Sequence, residues 1–134
     1  MRLLTIGTFD TPHIGHASFL KKCEQYASQV IVGINSDAFV LKYRGEAPLF
    51  NYAERMTLFR RMGYECYPNE SAGRELIEKV MPDVVAIGSD WAKKDYYAQI
   101  DVTQDWLDAH NISMLYIPYA AGISSTEIKR RLAL

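Results

Sequence analysis

The run Val30-Ile-Val-Gly-Ile34 contains no polar residue. A strand with one face in water alternates apolar and polar positions, so an unbroken apolar run marks a strand covered on both faces, as in a parallel sheet flanked by helices. Leu3 to Ile6, Tyr64 to Tyr67, Asp83 to Gly88 and Ser113 to Ile117 read as four more short strands. Between them lie helical patterns. Residues 12–29 place His16, Leu20, Cys23 and Ala27 at spacings of four and three. Asn35-Ser-Asp37 can start a short helix running to about Lys42, and residues 43–51, with Gly45 and Pro48, form a loop. Asn51 can cap a helix to about Met62 that carries Tyr52, Met56 and Phe59 on one stripe. A helix from Ser71 to Met81 stops at Pro82, and residues 92–111 are helical in two pieces around Asp101-Val-Thr103. Ser124 or Ser125 caps a last helix with Ile128 and Leu132. Strand and helix alternate throughout, which predicts an α/β fold: a three-layer, doubly wound, five-stranded parallel sheet forming one domain over residues 1–134.

Such folds bind ligands at the carboxyl ends of their strands, so the segments there hold the candidate chemistry. The first strand ends in Gly7-Thr-Phe-Asp-Thr-Pro-His-Ile-Gly-His16. Gly7 breaks the strand, Thr11 can cap free amides, and Pro12 suits a first helical position. His13 and His16 then share the first turn of a helix and look into a crevice, with Gly15 leaving the backbone open between them. Amide donors, the positive end of a helix and two imidazoles are the parts of a phosphate site. Spacing alone leaves surface or metal-binding histidines open. A zinc site needs more ligands, however, and His110, Cys23 and Cys66 are distant in sequence, so no resident metal is expected at the pair.

Three further groups sit at strand ends or in the loops that follow. Lys42, Arg44 and Arg55 are cations around the loop of residues 43–51, where solvated surface charges are the alternative reading. Gly88-Ser-Asp-Trp91 offers Asp90 for a hydroxyl or ribose and Trp91 to wall a pocket, with Lys93 and Lys94 beside it. Gly122-Ile-Ser-Ser-Thr-Glu-Ile128 sets three hydroxyl residues at a helix start, more than capping needs, and reads as a second phosphate cradle.

Overall charge does not compete with these local clusters. With 15 basic and 16 acidic residues, nothing advertises a nucleic-acid or anionic-membrane surface. The two cysteines show no paired spacing, the start has no signal-peptide pattern, and no run approaches a membrane span. A cytoplasmic protein with reduced thiols is expected.

The string GTFDTPHIGH resembles the signature of the HxGH nucleotidyltransferases, most closely the glycerol-3-phosphate cytidylyltransferase branch. Tyr52-Ala-Glu-Arg55 is similar to that branch's Y-E-x-R setting, Gly88-Ser-Asp-Trp91 to its G-D-D-W, and Gly122 to Ile128 to its G-I-S-T-T-x-I. The last segment also resembles the I-S-S-T-x-I of several adenylyltransferases. Nearly the whole chain is covered, with the motifs in order. The resemblance implies transfer of CMP from CTP to a phosphorylated small alcohol such as glycerol 3-phosphate, with pyrophosphate released, Mg²⁺ accompanying the triphosphate, and a homodimer. It implies catalytic roles for His13, His16, Lys42 and Arg55. Nucleotide contacts would come from Gly7, Thr8, Phe9, Asp10, Gly15, Gly88, Gly122, Ile123, Ser124, Ser125 and Thr126, and acceptor contacts from Arg44, Asp90, Trp91 and Lys93. An adenylyltransferase using ATP, or a nucleotide-binding module without turnover, are the rival readings. Three departures stand out: Ser89 replaces an Asp, Tyr119 stands where the branch often has Arg, and the stretch from Trp91 to Pro118 is longer by roughly ten residues, a change that insertion rules confine to the surface.

Overall fold

The structure is a computed structural model that describes residues 1–118. The expected last helix and the segment from Tyr119 onward, with Gly122, Ile123, Ser124, Ser125 and Thr126, lie outside the described residues. Within them, strands β1 (Arg2–Gly7), β2 (Gln29–Asn35), β3 (Glu65–Asn69), β4 (Val84–Gly88) and β5 (Ser113–Ile117) alternate with helices α1 (Ile14–Cys23), α2 (Asp37–Arg44), α3 (Tyr52–Arg61), α4 (Arg74–Val80), α5 (Tyr96–Gln99) and α6 (Gln104–Ala109). All strand pairs are parallel, and the sheet order is β3-β2-β1-β4-β5. The order reverses at β1, and it is at such a switch point that α/β sheets open a crevice.

Burial explains the apolar runs. Leu3, Val32, Ile34 and Ala86 meet Phe19, Leu20, Cys23 and Phe59 on one face of the sheet. Leu4, Ile6, Ile31, Val85 and Ile87 meet Leu76, Ile77, Val80, Ile100 and Leu107 on the other. Successive residues of a strand point to opposite faces, so a sheet covered twice needs apolar residues at both parities. Pro68 is tolerated in β3 because β3 is an edge strand.

Several boundaries differ from the sequence reading, β3 among them, which runs over Glu65–Asn69 rather than Tyr64 to Tyr67. α1 begins at Ile14 and ends at Cys23, because the chain must turn to bring Gln29 into register with Arg2. α4 starts at Arg74 rather than Ser71: Gly73 has φ of 153°, and a Cβ there would lie 2.9 Å from Ile100 Cβ. Residues 89–93 form a 3-10 helix, and the expected break near Asp101 is present, with Thr103 capping α6 through the Trp106 amide.

Candidate active site

The histidine turn is built differently from the expected helix start. His13 is the N-cap of α1, and His16 is its third residue. The Gly15 amide donates to His13 Nδ1 at 3.0 Å, and the His13 amide donates to His16 Nδ1 at 3.2 Å. The two imidazoles thus close a capping box on their own helix, normally the work of Ser/Thr and Glu. Thr11 does not cap; it is buried, and its hydroxyl has no hydrogen-bond partner. Pro12 precedes the helix. The amides expected to be open for a phosphate at Gly15 and His13 are therefore already bonded to the rings.

This arrangement fixes the tautomers. A ring nitrogen that accepts from a backbone amide cannot carry the proton, so the neutral rings hold it on Nε2. The rings stack with centroids 3.9 Å apart at 25°. Burial lowers the His13 pKa; burial first and the neighbouring His13 second push His16 down to about 3. Both are neutral hydrogen-bond donors near pH 7. His13 Nε2 is buried with no partner, a cost that structures accept where a ligand or water completes the bond.

Phe9 holds the turn. Its φ is +50°, a region that bulky residues rarely adopt, and it is offset by packing: the ring is buried edge-on against His16 at 5.1 Å and Phe59 at 4.9 Å. Gly7 makes room for it, since a Cβ there would sit 3.0 Å from the Phe9 ring. Asp10 is buried and accepts from the amides of Leu49 at 2.6 Å and Phe50 at 3.4 Å, and from Arg44 at 3.4 Å. It pins the 45–51 loop to the turn.

Arg55 corrects the sequence reading most clearly. It is fully buried, and its three nitrogens donate to Phe50 O at 2.9 Å, Thr8 O at 2.6 Å and Asp37 Oδ1 at 2.7 Å. It ties the turn after β1, the start of α2 and the entrance of α3 together, instead of facing a phosphate. Lys42 is exposed and lines no part of the crevice, and Arg44 is engaged by Asp10 and Glu46.

At the carboxyl ends of β1, β2 and β4 lies a crevice of about 240 Å³. Of the expected residues it gathers Gly7, Thr8, Phe9, His16 and Trp91. Asp90 and Lys93 are exposed and outside it, and Gly88 ends β4 below it. The sequence reading missed Thr5, Asn35, Phe39, Tyr43, Tyr96 and Gln99, which also line it. Asn35 was detectable as an amide closing an apolar strand. Tyr43 could not be separated from ordinary helix-surface aromatics. The lining holds no Asp, Glu, Lys or Arg among the described residues.

Comparison with known proteins agrees with this construction. Residues 4–131 match the cytidylyltransferase-like family. The chain is 30% identical over 134 residues to the bifunctional protein HldE of Campylobacter curvus and 30% identical over 130 residues to that of Proteus mirabilis, covering 97% and 94% of this chain. It spans about a quarter of the length of these relatives, 27% and 26% respectively. Among solved structures, a lipopolysaccharide core biosynthesis protein from Thermoplasma volcanium shares the fold with a TM-score of 0.65 at 18% identity, covering 90% of this chain and 98% of that one. A protein of unknown function from Archaeoglobus fulgidus does so with a TM-score of 0.65 at 13% identity, over 92% and 94% of the two chains. A sheet reversing at β1, a histidine pair on the turn after it and a family match across nearly every residue lead to one conclusion: the chain belongs to the cytidylyltransferase-like family of nucleotidyltransferases.

Proposed function

We propose that this chain transfers a nucleotidyl group from a nucleoside triphosphate to a phosphorylated small alcohol. An acceptor phosphate oxygen attacks the α-phosphorus in line, the bond to the β-phosphate breaks, and pyrophosphate leaves. No covalent intermediate with the protein is needed, so the protein's work is positioning and charge stabilisation. The observation that carries this reading is the pair of stacked, neutral imidazoles whose Nδ1 atoms are held by backbone amides, with His16 lining the crevice at the carboxyl end of β1 and His13 stacked on it. Such preorganised donors act on the transition state without reorganising. Arg55, Asp10 and Phe9 would keep the turn in place, Arg44 and the hydroxyls of Ser124, Ser125 and Thr126 would meet the phosphates, and Lys42 would add only a solvent-screened charge.

Magnesium would enter on the triphosphate. Among the described residues the crevice presents no carboxylate and no cluster of three His, Cys, Asp or Glu occurs, which is compatible with an ion carried by the triphosphate's own oxygens. The family name favours CTP. ATP is the second reading, favoured by Tyr119 in the place of an arginine and by the likeness of Gly122 to Ile128 to adenylyltransferase segments. Glycerol 3-phosphate is one acceptor among several, since the relatives matched above are HldE proteins. Among the described residues no helix is long and apolar enough to cross a membrane. A pyrophosphate-release screen of the four nucleoside triphosphates against phosphorylated alcohols and sugars tests the reading. Release that requires both substrates supports it, and none with any pair refutes it. Sedimentation of the same preparation tests the homodimer.

A further inference from the structure

Thr8, Asn35 and Asn69 stand side by side on the carboxyl edge of the sheet. Asn35 is in register with Asn69, and Thr8 follows Gly7, which is in register with Ile34. Their side chains form a single file. Asn69 Nδ2 donates to Ser71 O at 2.7 Å and to Asn35 Oδ1 at 2.9 Å, Asn35 Nδ2 donates to Thr8 Oγ1 at 3.0 Å, and Thr8 Oγ1 lies 2.7 Å from the Tyr43 hydroxyl.

The polarity of this file is fixed from its buried end as far as Thr8. A carbonyl only accepts, so Asn69 must turn its NH₂ toward Ser71. The second proton of that NH₂ then goes to Asn35 Oδ1, which forces the Asn35 NH₂ toward Thr8. Thr8 Oγ1 accepts from Asn35 and shares one further hydrogen bond with the Tyr43 hydroxyl, in which either oxygen can donate, so the phenol is held in place with one donor or acceptor position left facing the crevice. Asn35 and Asn69 are both buried, at 6% and 1% exposure, whereas Tyr43 is 43% exposed on the wall of the crevice. Two buried amides are costly unless bonded, and here their bonds converge on one phenol at the rim.

We propose that Tyr43, oriented through Thr8 by Asn35 and Asn69, is the specificity-determining hydrogen-bonding residue for a neutral hydroxyl of the acceptor. The proposal rests on the nucleotidyl-transfer reading for the reaction, and three observations support it. Among the described residues the lining carries no Asp, Glu, Lys or Arg, which suits hydroxyls. Phe39 and Tyr43, with ring centroids 5.0 Å apart, both line it and offer an apolar wall of the kind that packs on the carbon face of a sugar. The file also lies on the β2–β3 side of β1, away from the β4–β5 side that carries Trp91.

The test compares pairs of acceptors differing by one hydroxyl, glycerol 3-phosphate against 3-hydroxypropyl phosphate and a hexose 1-phosphate against its 2-deoxy analogue. Two readouts are taken: kcat/KM, and acceptor binding by calorimetry without nucleotide. The unmodified chain should prefer one hydroxylated member by about tenfold to a hundredfold. Tyr43→Phe should reduce that preference to about twofold, mainly through acceptor KM, with the nucleotide KM unmoved. Asn69→Asp, which never touches substrate, should reduce it in the same way because a carboxylate cannot donate to Asn35. If Asn69→Asp does not fold, Tyr43→Phe decides alone. Unchanged discrimination in Tyr43→Phe overturns the proposal, as does the absence of any hydroxyl preference in the unmodified chain. Hydroxyl-selective binding that Tyr43→Phe abolishes, without turnover by the unmodified chain, upholds the recognition site and overturns the transfer reading instead.

Discussion

The histidine turn and the cations around the loop that faces it both read as phosphate sites in the sequence, and the fold treats them in opposite ways. The turn keeps its imidazoles neutral, stacked and backbone-held, with His13 Nε2 unpartnered. The loop draws Arg55 entirely inside and satisfies it with two carbonyls and Asp37. A guanidinium carries donors in a rigid fork, so it is well suited to bind several chain segments at once, and its charge then counts for the frame rather than for a ligand. Residue type does not decide between a ligand and a strut; what decides is whether the neighbouring backbone leaves acceptors that must be filled.

That contrast can be broken most forcefully at Arg55. Arg55→Ala strands two backbone carbonyls and the half-exposed Asp37, and should cost about 3 kcal/mol or more of stability by urea unfolding. Arg55→Lys should recover little, because one ammonium cannot span three acceptors. An unaltered unfolding midpoint with a collapse in turnover would return Arg55 to the substrate.

His13→Asn sharpens the other side. Asparagine is a good N-cap, so α1 should persist by circular dichroism, while the Nε2 donor disappears and kcat should fall by about a hundredfold. His16→Ala should lower kcat similarly and also lose about 1 kcal/mol of stability, since its ring accepts the His13 amide.

A smaller effect follows from neutrality. His16 binds its proton only near pH 3 in the folded chain but near 6.5 when unfolded, so between those values the unfolded state holds more protons and stability falls as pH is lowered. The slope should approach about 1.4 kcal/mol per pH unit for this group, to be read from thermal midpoints between pH 6.5 and 4 and flattened in His16→Gln. Above pH 6.5 the histidine contribution is complete, so kcat/KM should not decline there as an imidazolium mechanism requires. The smallest expected change is at Lys42: exposed and outside the crevice, it should alter the triphosphate KM by no more than about threefold on replacement by Ala, and added salt should erase the difference.

Much of the frame was legible without coordinates. Continuous apolar runs, Asn51 as a helix cap, and the break near Asp101 are local signals, because hydrophobic period and capping chemistry act over a few neighbouring residues. The GTFDTPHIGH string located the site for the same reason: one strand, one turn and one helix start carry it. Failures began where side chains cross between segments. Arg55 reaches Thr8 across 47 positions and Asn69 reaches Asn35 across 34, and no spacing rule reports such contacts.

By itself, then, the sequence determined the alternation of strands and helices, the parallel sheet and the histidine pair, since each follows from propensity and period within a dozen or so residues. The strand order β3-β2-β1-β4-β5, the neutral state of His16, the burial of Arg55 and the amide file ending at Tyr43 were decided only in three dimensions. Desolvation and hydrogen-bond satisfaction depend on everything packed around a group, and distant segments become neighbours only when the sheet has closed over both of its faces.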